Sequence, residues 1–147
     1  VIPDCGLTTD VIAGFCGETE QDHKDTLTLM EEVVFDSAFM FAYSERPGTL
    51  ASKKYPDDIP YELKTQRLNE IIALQGRMSL KSNEKEVGRI LKVLVEGPSK
   101  KNPDELCGRA SSNKMCVFPS RGEKPGDYCE VEVVSVTSAT LLCKRID

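Results

Sequence analysis

The hydrophobic pattern changes its period near residue 84, and that break constrains the chain more than any other feature. Ahead of it, short apolar runs are separated by stretches of helical period. Behind it, only short alternating runs divided by turns remain. Thr9–Ala13 reads Thr-Asp-Val-Ile-Ala and is stopped by Gly14 and Gly17. From Glu18 to Val34, Leu27, Met30 and Val34 recur at spacings of three and four, the mark of one helical face. Thr19 with Asp22 three residues on suits a capped first turn, and Glu18, Glu20 and Asp22 suit the positive end of a helix dipole. Phe35–Tyr43 is nearly continuous apolar sequence of strand length. Strand, helix, strand in that order, with runs apolar on both faces, predicts a β-α-β unit with parallel strands and a right-handed crossover. Ser44–Asp58 reads as a loop, punctuated by Pro47-Gly48 and Pro56. A second helix starts at Pro60 and continues past Gly76.

From Gly88 onward the grammar is strand and turn. Ile90–Val95, Cys107–Ala110, Lys114–Phe118, Tyr128–Val136 and Thr140–Lys144 read as five strands, with Cys129, Val131 and Val133 alternating against Tyr128, Glu130 and Glu132. Five short strands with polar loops describe a small antiparallel barrel. The expected class is therefore α+β, with a partial β-α-β-α piece over residues 1–82 and a five-stranded antiparallel, OB-like barrel over residues 83–147. Two parallel strands and two helices cannot cover both faces and both edges of a sheet. The first piece reads as the completion of a larger sheet, and the chain as the C-terminal part of a longer protein.

The net charge of -5 divides unevenly. Residues 1–86 hold 9 basic and 16 acidic residues, net -7, whereas residues 87–147 hold 10 and 8, net +2. An acidic first part is a poor binder of polyanions, so nucleic-acid contact belongs in the second. An apolar fraction of 39% with 29% charged residues is that of a globular chain, neither disordered nor fibrous. No run of 18 apolar residues and no basic segment ahead of an apolar one is present, so neither a membrane span nor a signal peptide is expected. Cys5, Cys16, Cys107, Cys116, Cys129 and Cys143 include no C-x-x-C. They read as reduced, mostly buried thiols of a cytoplasmic protein, with disulfides or a metal site as the alternatives, and no site is assigned to them.

Gly14-Phe-Cys-Gly17-Glu18 follows a strand and opens a helix, where backbone amides can meet a phosphate or nucleoside edge; a plain turn accounts for it equally. Asp10 is a carboxylate inside an apolar strand, costly unless paired with Arg46 or a ligand, the alternative being a solvated strand end. Arg46 leaves the second strand on the same side as the Gly14 turn, the side on which parallel sheets gather ligands. His23 is the only histidine and falls with Leu27 on the apolar helix face, which favours packing over acid-base work; it also excludes a histidine-based zinc triad. No nucleophile elbow and no second histidine support a serine triad. In the barrel, Lys100, Lys101, Arg109, Lys114, Arg121 and Lys124 lie in or near loops, with Phe118 among them, a pattern that suits a nucleic-acid backbone and a stacked base. Solvated loops are the competing account.

Several segments carry a family resemblance: Ile2–Asp10, Asp10-Val-Ile-Ala-Gly-Phe-Cys-Gly-Glu-Thr19, Phe35–Phe41, Tyr43-Ser-Glu-Arg-Pro-Gly-Thr49, and Val95–Asp104 followed by Gly108-Arg109. Together they resemble the C-terminal part of the tRNA methylthiotransferases, and residues 95–109 favour the branch acting on isopentenylated adenosine over the one acting on a ribosomal protein. The resemblance implies a parent radical S-adenosylmethionine enzyme with two [4Fe-4S] clusters, which adds a methylthio group at C2 of the adenosine beside the anticodon. It implies that residues 1–82 are the end of the radical barrel and residues 83–147 a TRAM domain that holds the tRNA anticodon stem-loop. Carried over residue by residue, Val11, Ile12, Gly14, Phe15, Gly17 and Glu18 would border S-adenosylmethionine, Asp10 and Arg46 the substrate end. Lys101, Arg109, Lys114 and Phe118 would touch RNA. The chain lacks the C-x-x-x-C-x-x-C triad of that family and the three cysteines of its other cluster, so it would depend on missing N-terminal domains and be inactive alone. Cys16 stands where the family has proline, which loosens the expected turn. The competing reading from another class is a freestanding RNA-binding barrel with no enzyme parent.

Overall fold

A computed structural model describes residues 5–146; the Ile2-Pro3-Asp4 opening of the first resembling segment lies outside the described residues. The element order is β1 (Thr8–Ala13), α1 (Glu20–Val33), β2 (Ser37–Ala42), α2 (Leu50–Lys54), α3 (Tyr61–Glu84), β3 (Ile90–Pro98), β4 (Glu105–Ala110), β5 (Met115–Pro119), β6 (Tyr128–Val136) and β7 (Leu141–Arg145). The chain divides into two compact units, one over Thr8–Met78 and one from Ser79 onward with the residues ahead of Thr8.

In the first unit β1 and β2 pair in parallel, Thr8 opposite Ser37 through Ala13 opposite Ala42, with α1 as the crossover. The start of α1 is set by a capping box: the Thr19 hydroxyl accepts from the Asp22 amide at 3.1 Å, and the Asp22 carboxylate accepts from the Thr19 amide at 2.8 Å. Such a cap contributes about 1 kcal/mol. One face of the strand pair, Val11, Ala13 and Met40, packs with Met30 of α1 and Ile71 and Leu74 of α3. The other face does not: Ile12, Phe39 and Phe41 are 53%, 66% and 55% exposed. The described chain supplies helices for one side only, in keeping with the expectation that two helices cannot cover both faces of a sheet. The loop expected over Ser44–Asp58 contains α2, nucleated where the Thr49 side chain accepts from the Ser52 amide at 3.2 Å.

In the second unit the five strands close into a barrel in the order β3-β4-β5-β7-β6. The pairs are antiparallel except β5 and β7, which run parallel through Cys116 opposite Leu141 and Val117 opposite Leu142. This corrects the fully antiparallel expectation, and the reason is arithmetic: directions cannot alternate around a ring with an odd number of members. The inward residues of each strand, among them Val93, Val95, Cys116, Phe118, Val131 and Leu141, form one apolar core. β3 and β4 approach so closely at Gly108 that a Cβ there would collide with the Leu94 carbonyl oxygen, so no other residue fits without moving backbone. None of the six cysteines is in a disulfide; Cys116, Cys129 and Cys143 are buried in this core, whereas Cys5 is exposed and Cys16 and Cys107 are half-buried. Among the described residues no helix is long and apolar enough to cross a membrane.

Candidate nucleic-acid interface

The two ends of the barrel differ in what they present. At one end the last residues of α3 and the segment after it close the ring. Asn83 donates to the Thr137 carbonyl at 2.9 Å, and Lys114 Nζ donates to Ser82 Oγ at 2.9 Å and to the Ser82 carbonyl at 3.1 Å, with Glu86 Oε1 3.4 Å away. Lys114 is therefore withdrawn as an RNA contact: its side chain is only 9% exposed and its charge is engaged inside the protein. Phe118 is corrected as well. It is 1% exposed, the bulkiest side chain of the barrel core, and offers no open ring face to a base.

The other end is built by the loops 99–104 and 120–127. They are held together by the Ser120 amide donating to the Asp104 carbonyl at 3.0 Å, and each is anchored to the strands, Ser99 to the Glu105 carbonyl and Gly126 to the Val95 carbonyl. Lys100, Lys101, Arg121 and Lys124 project from these loops, all exposed, and none of their charged groups has a partner among the described residues. The acidic Glu123 within the second loop is neutralised by Arg145. Lys101 is thus exposed on the loop that also bears Lys100, with Arg121 and Lys124 on the second loop. Arg109 lies on the outer wall of β4, 40% exposed at its side chain, with Nε donating to Glu96 Oε1 at 3.2 Å and a terminal nitrogen donating to the Asn113 carbonyl at 2.9 Å. It is partly committed and can offer RNA only its remaining donors.

In the first unit the Gly14 turn is closed upon itself. The Gly14 amide donates to Glu18 Oε2 at 3.0 Å, the Gly17 amide to Asp58 Oδ1 at 2.8 Å, and Arg67 holds Glu18 through both its carboxylate, at 2.8 Å, and its carbonyl, at 3.0 Å. Lys64, bound to Asp57 and 3.4 Å from the Tyr43 carbonyl, fills the space where a Gly14 side chain would stand. Gly14 is at φ +73°, so a side chain there would meet both backbone strain and this lysine. The two glycine amides and the Glu18 carboxylate are consequently engaged within the turn and are not open to a phosphate, which corrects the cradle expectation. Val11 points into the helix-covered core, away from Asp10 and Ile12 on the open sheet face. Phe15, 40% exposed, stands edge-on to Tyr43 with centroids 4.9 Å apart. Burial, then the Cys16 thiol, raises the Tyr43 hydroxyl above its ordinary value of 10.0. Asp10 and Arg46 are both exposed and make no ion pair with each other or with any described residue.

Cofactor fit follows from these positions. Of the residues expected to border S-adenosylmethionine or the substrate end, Asp10, Ile12, Phe15 and Arg46 keep exposed side chains. For an iron-sulfur cluster the residues do not fit: no group of three metal-ligating side chains occurs among the described residues, and half of the thiols are barrel core. His23 is buried, as its place on the apolar helix face implies, and donates to Glu70 Oε2 at 2.7 Å, joining α1 to α3.

Residues 84–144 match the TRAM domain family. Over 141 residues, 96% of the chain, the sequence is 52% identical to a tRNA-2-methylthio-N(6)-dimethylallyladenosine synthase of Phocaeicola vulgatus and 53% identical to one of Bacteroides thetaiotaomicron, covering 31% of each. A protein of the same name from Porphyromonas gingivalis is 49% identical over 146 residues, 99% of the chain and 32% of that relative. The chain is thus similar over nearly its whole length to proteins named tRNA-2-methylthio-N(6)-dimethylallyladenosine synthase, matches the TRAM domain at residues 84–144, and spans about 31% of the length of the relatives it matches.

Proposed function

We propose that this chain is the tRNA-holding C-terminal part of a radical S-adenosylmethionine methylthiotransferase, with residues 1–82 completing the catalytic barrel and residues 83–147 gripping the anticodon stem-loop. The parent enzyme, working in the cytoplasm, transfers a methylthio group to C2 of N6-isopentenyladenosine beside the anticodon. S-adenosylmethionine and two [4Fe-4S] clusters supply the radical and sulfur chemistry there; this chain carries no cluster-ligand triad, and no step of that chemistry is assigned to it. Its own residues bind and orient. Lys100, Lys101, Arg121 and Lys124 meet phosphates, Arg109 adds a contact from the barrel wall, and Asp10, Ile12, Phe15 and Arg46 border the substrate side of the open sheet.

The observation that carries this reading is the set of four exposed cations, none with a partner among the described residues, on the two loops at one end of a TRAM barrel. Charges left free on a small barrel are available for counterion-releasing contact with a polyanion. The test is fluorescence anisotropy of a labelled anticodon stem-loop against this chain at several salt concentrations, with a scrambled hairpin as control. Saturable binding that weakens with salt is expected, and Lys101→Ala should reduce the logarithmic salt slope by about 1. Absence of binding at low salt would overturn the assignment of RNA contact to the barrel. Methylthiolation of an isopentenylated stem-loop by this chain alone would overturn the assigned lack of catalysis.

A further inference from the structure

The basic end of the barrel carries one feature that phosphate contacts leave unused. Tyr128 is the first residue of β6, immediately after the loop that bears Arg121 and Lys124. Alternation along β6 sends Cys129, Val131 and Val133 into the core and Tyr128 outward, and its ring is left 62% exposed. Lys92 of β3 lies diagonally across the strand pair, where Leu94 is the direct partner of Tyr128 and Glu130 that of Lys92. Its ammonium stands 4.8 Å from the centroid of the Tyr128 ring, within cation–π distance.

The backbone that carries the ring is also held in place. Just ahead of it the Gly126 amide donates to the Val95 carbonyl and the Val95 amide donates to the Asp127 carbonyl, both at 2.9 Å. A strand-fixed aromatic residue loses little freedom on binding, unlike a loop side chain. The phenol contributes an apolar face, Leu94 extends it at 36% exposure, and Lys92 places a positive charge over it. This is the chemistry of a nucleobase platform: stacking surface, adjacent cation, and phosphate-binding loops next to it. A base inside a duplex has no free face to offer, so the complementary ligand is an unpaired one.

We infer that Tyr128, with Lys92 and Leu94 beside it, is a stacking platform for an unpaired nucleobase of the bound RNA. The inference rests on the RNA reading of the barrel and adds to it a site for loop bases that the phosphate contacts do not require. It also transfers to Tyr128 the stacking role that the sequence pattern suggested for Phe118.

The test uses the whole 147-residue chain and two labelled probes, a hairpin with a single-stranded loop and a blunt duplex of the same stem sequence. Tyr128→Ala should lower affinity for the hairpin roughly 5- to 150-fold, with duplex affinity and salt slope unchanged, and Tyr128→Phe should restore binding. The chain contains no tryptophan, so Tyr128→Trp introduces a single reporter at this position. Its fluorescence should be quenched by the hairpin and not by the duplex. Wild-type binding of the hairpin together with an unchanged hairpin-to-duplex ratio in Tyr128→Ala would overturn the platform and leave the loop cations standing. Failure of the unaltered chain to bind either RNA would overturn the underlying RNA reading and the platform with it. Equal quenching by both probes would replace base stacking with backbone proximity and likewise overturn the platform.

Discussion

The two units solve the problem of backbone pairing in opposite ways. In the barrel every strand has a neighbour on each side, and a single core holds the inward residue of every strand. In the β1-β2 pair each strand has one neighbour, and Phe39 and Phe41 face outward beside Ile12. The difference teaches that a ring of short strands can be complete at about 60 residues, whereas a parallel pair flanked by helices on one side remains a fraction of a sheet. The surfaces differ accordingly: the barrel exposes Lys100, Lys101, Arg121 and Lys124 on its loops, and the strand pair exposes Ile12, Phe39 and Phe41.

The strongest way to break the comparison is to remove the centre of the closed body. Phe118→Ala should cost the barrel about 3–5 kcal/mol, through lost burial and the cavity it leaves. The loss should be read in urea as an earlier transition of barrel amides in hydrogen exchange, with β1 and β2 amides unaffected. A change below about 1 kcal/mol would mean that the core collapses around the gap and is less rigid than its burial implies.

The second prediction sharpens the contrast from the other side. Phe39→Ser with Phe41→Ser should leave unfolding free energy within about 0.5 kcal/mol, since neither ring is packed in this chain. It should at the same time reduce self-association in sedimentation, because an open strand edge beside exposed aromatic rings invites other chains. Large destabilisation by this pair of substitutions would show that the open face is covered in solution.

The smallest effect concerns pH. The hydrogen bond from His23, followed by that from Gln66, holds the Glu70 carboxyl below its ordinary value of 4.5. A carboxyl lowered on folding contributes stability above 4.5, and that contribution is lost as pH falls through the lower folded value. Glu70→Gln should therefore be less stable than the parent near neutral pH, with the difference closing on acidification. A constant difference across that range would show that hydrogen bonding, not ionisation, sets the role of Glu70.

Much of both units is legible in the sequence, because local chemistry decides it. The Thr19 and Asp22 cap, the parallel order of the first strands and the alternation of β6 all follow from residue type and spacing. The closing parallel pair departs from the antiparallel expectation, although five strands in a closed ring already forbid full alternation. Phe118 was misread although the signal was there: it lies two residues from Cys116, and residues two apart in a strand share a face. Lys114 is different. Its engagement depends on Ser82 and Glu86, about 30 residues upstream, reaching the barrel, and no local pattern encodes such a meeting. The commitment of the Gly14 and Gly17 amides likewise depends on carboxylates whose aim only tertiary structure sets, one of them from Asp58. Tyr128 and Lys92 escaped notice because an exposed aromatic on an alternating strand looks like surface until a cation is found over it.

The parallel seam between β5 and β7 has a consequence in time. It joins residues 25 apart in sequence, Cys116 and Leu141, through two paired positions, whereas β3 and β6 share five. A seam held by so few paired positions opens early. The ring should breathe along this line, its amides exchanging with solvent ahead of those on the opposite wall, so that the barrel opens as a curled sheet before it unfolds.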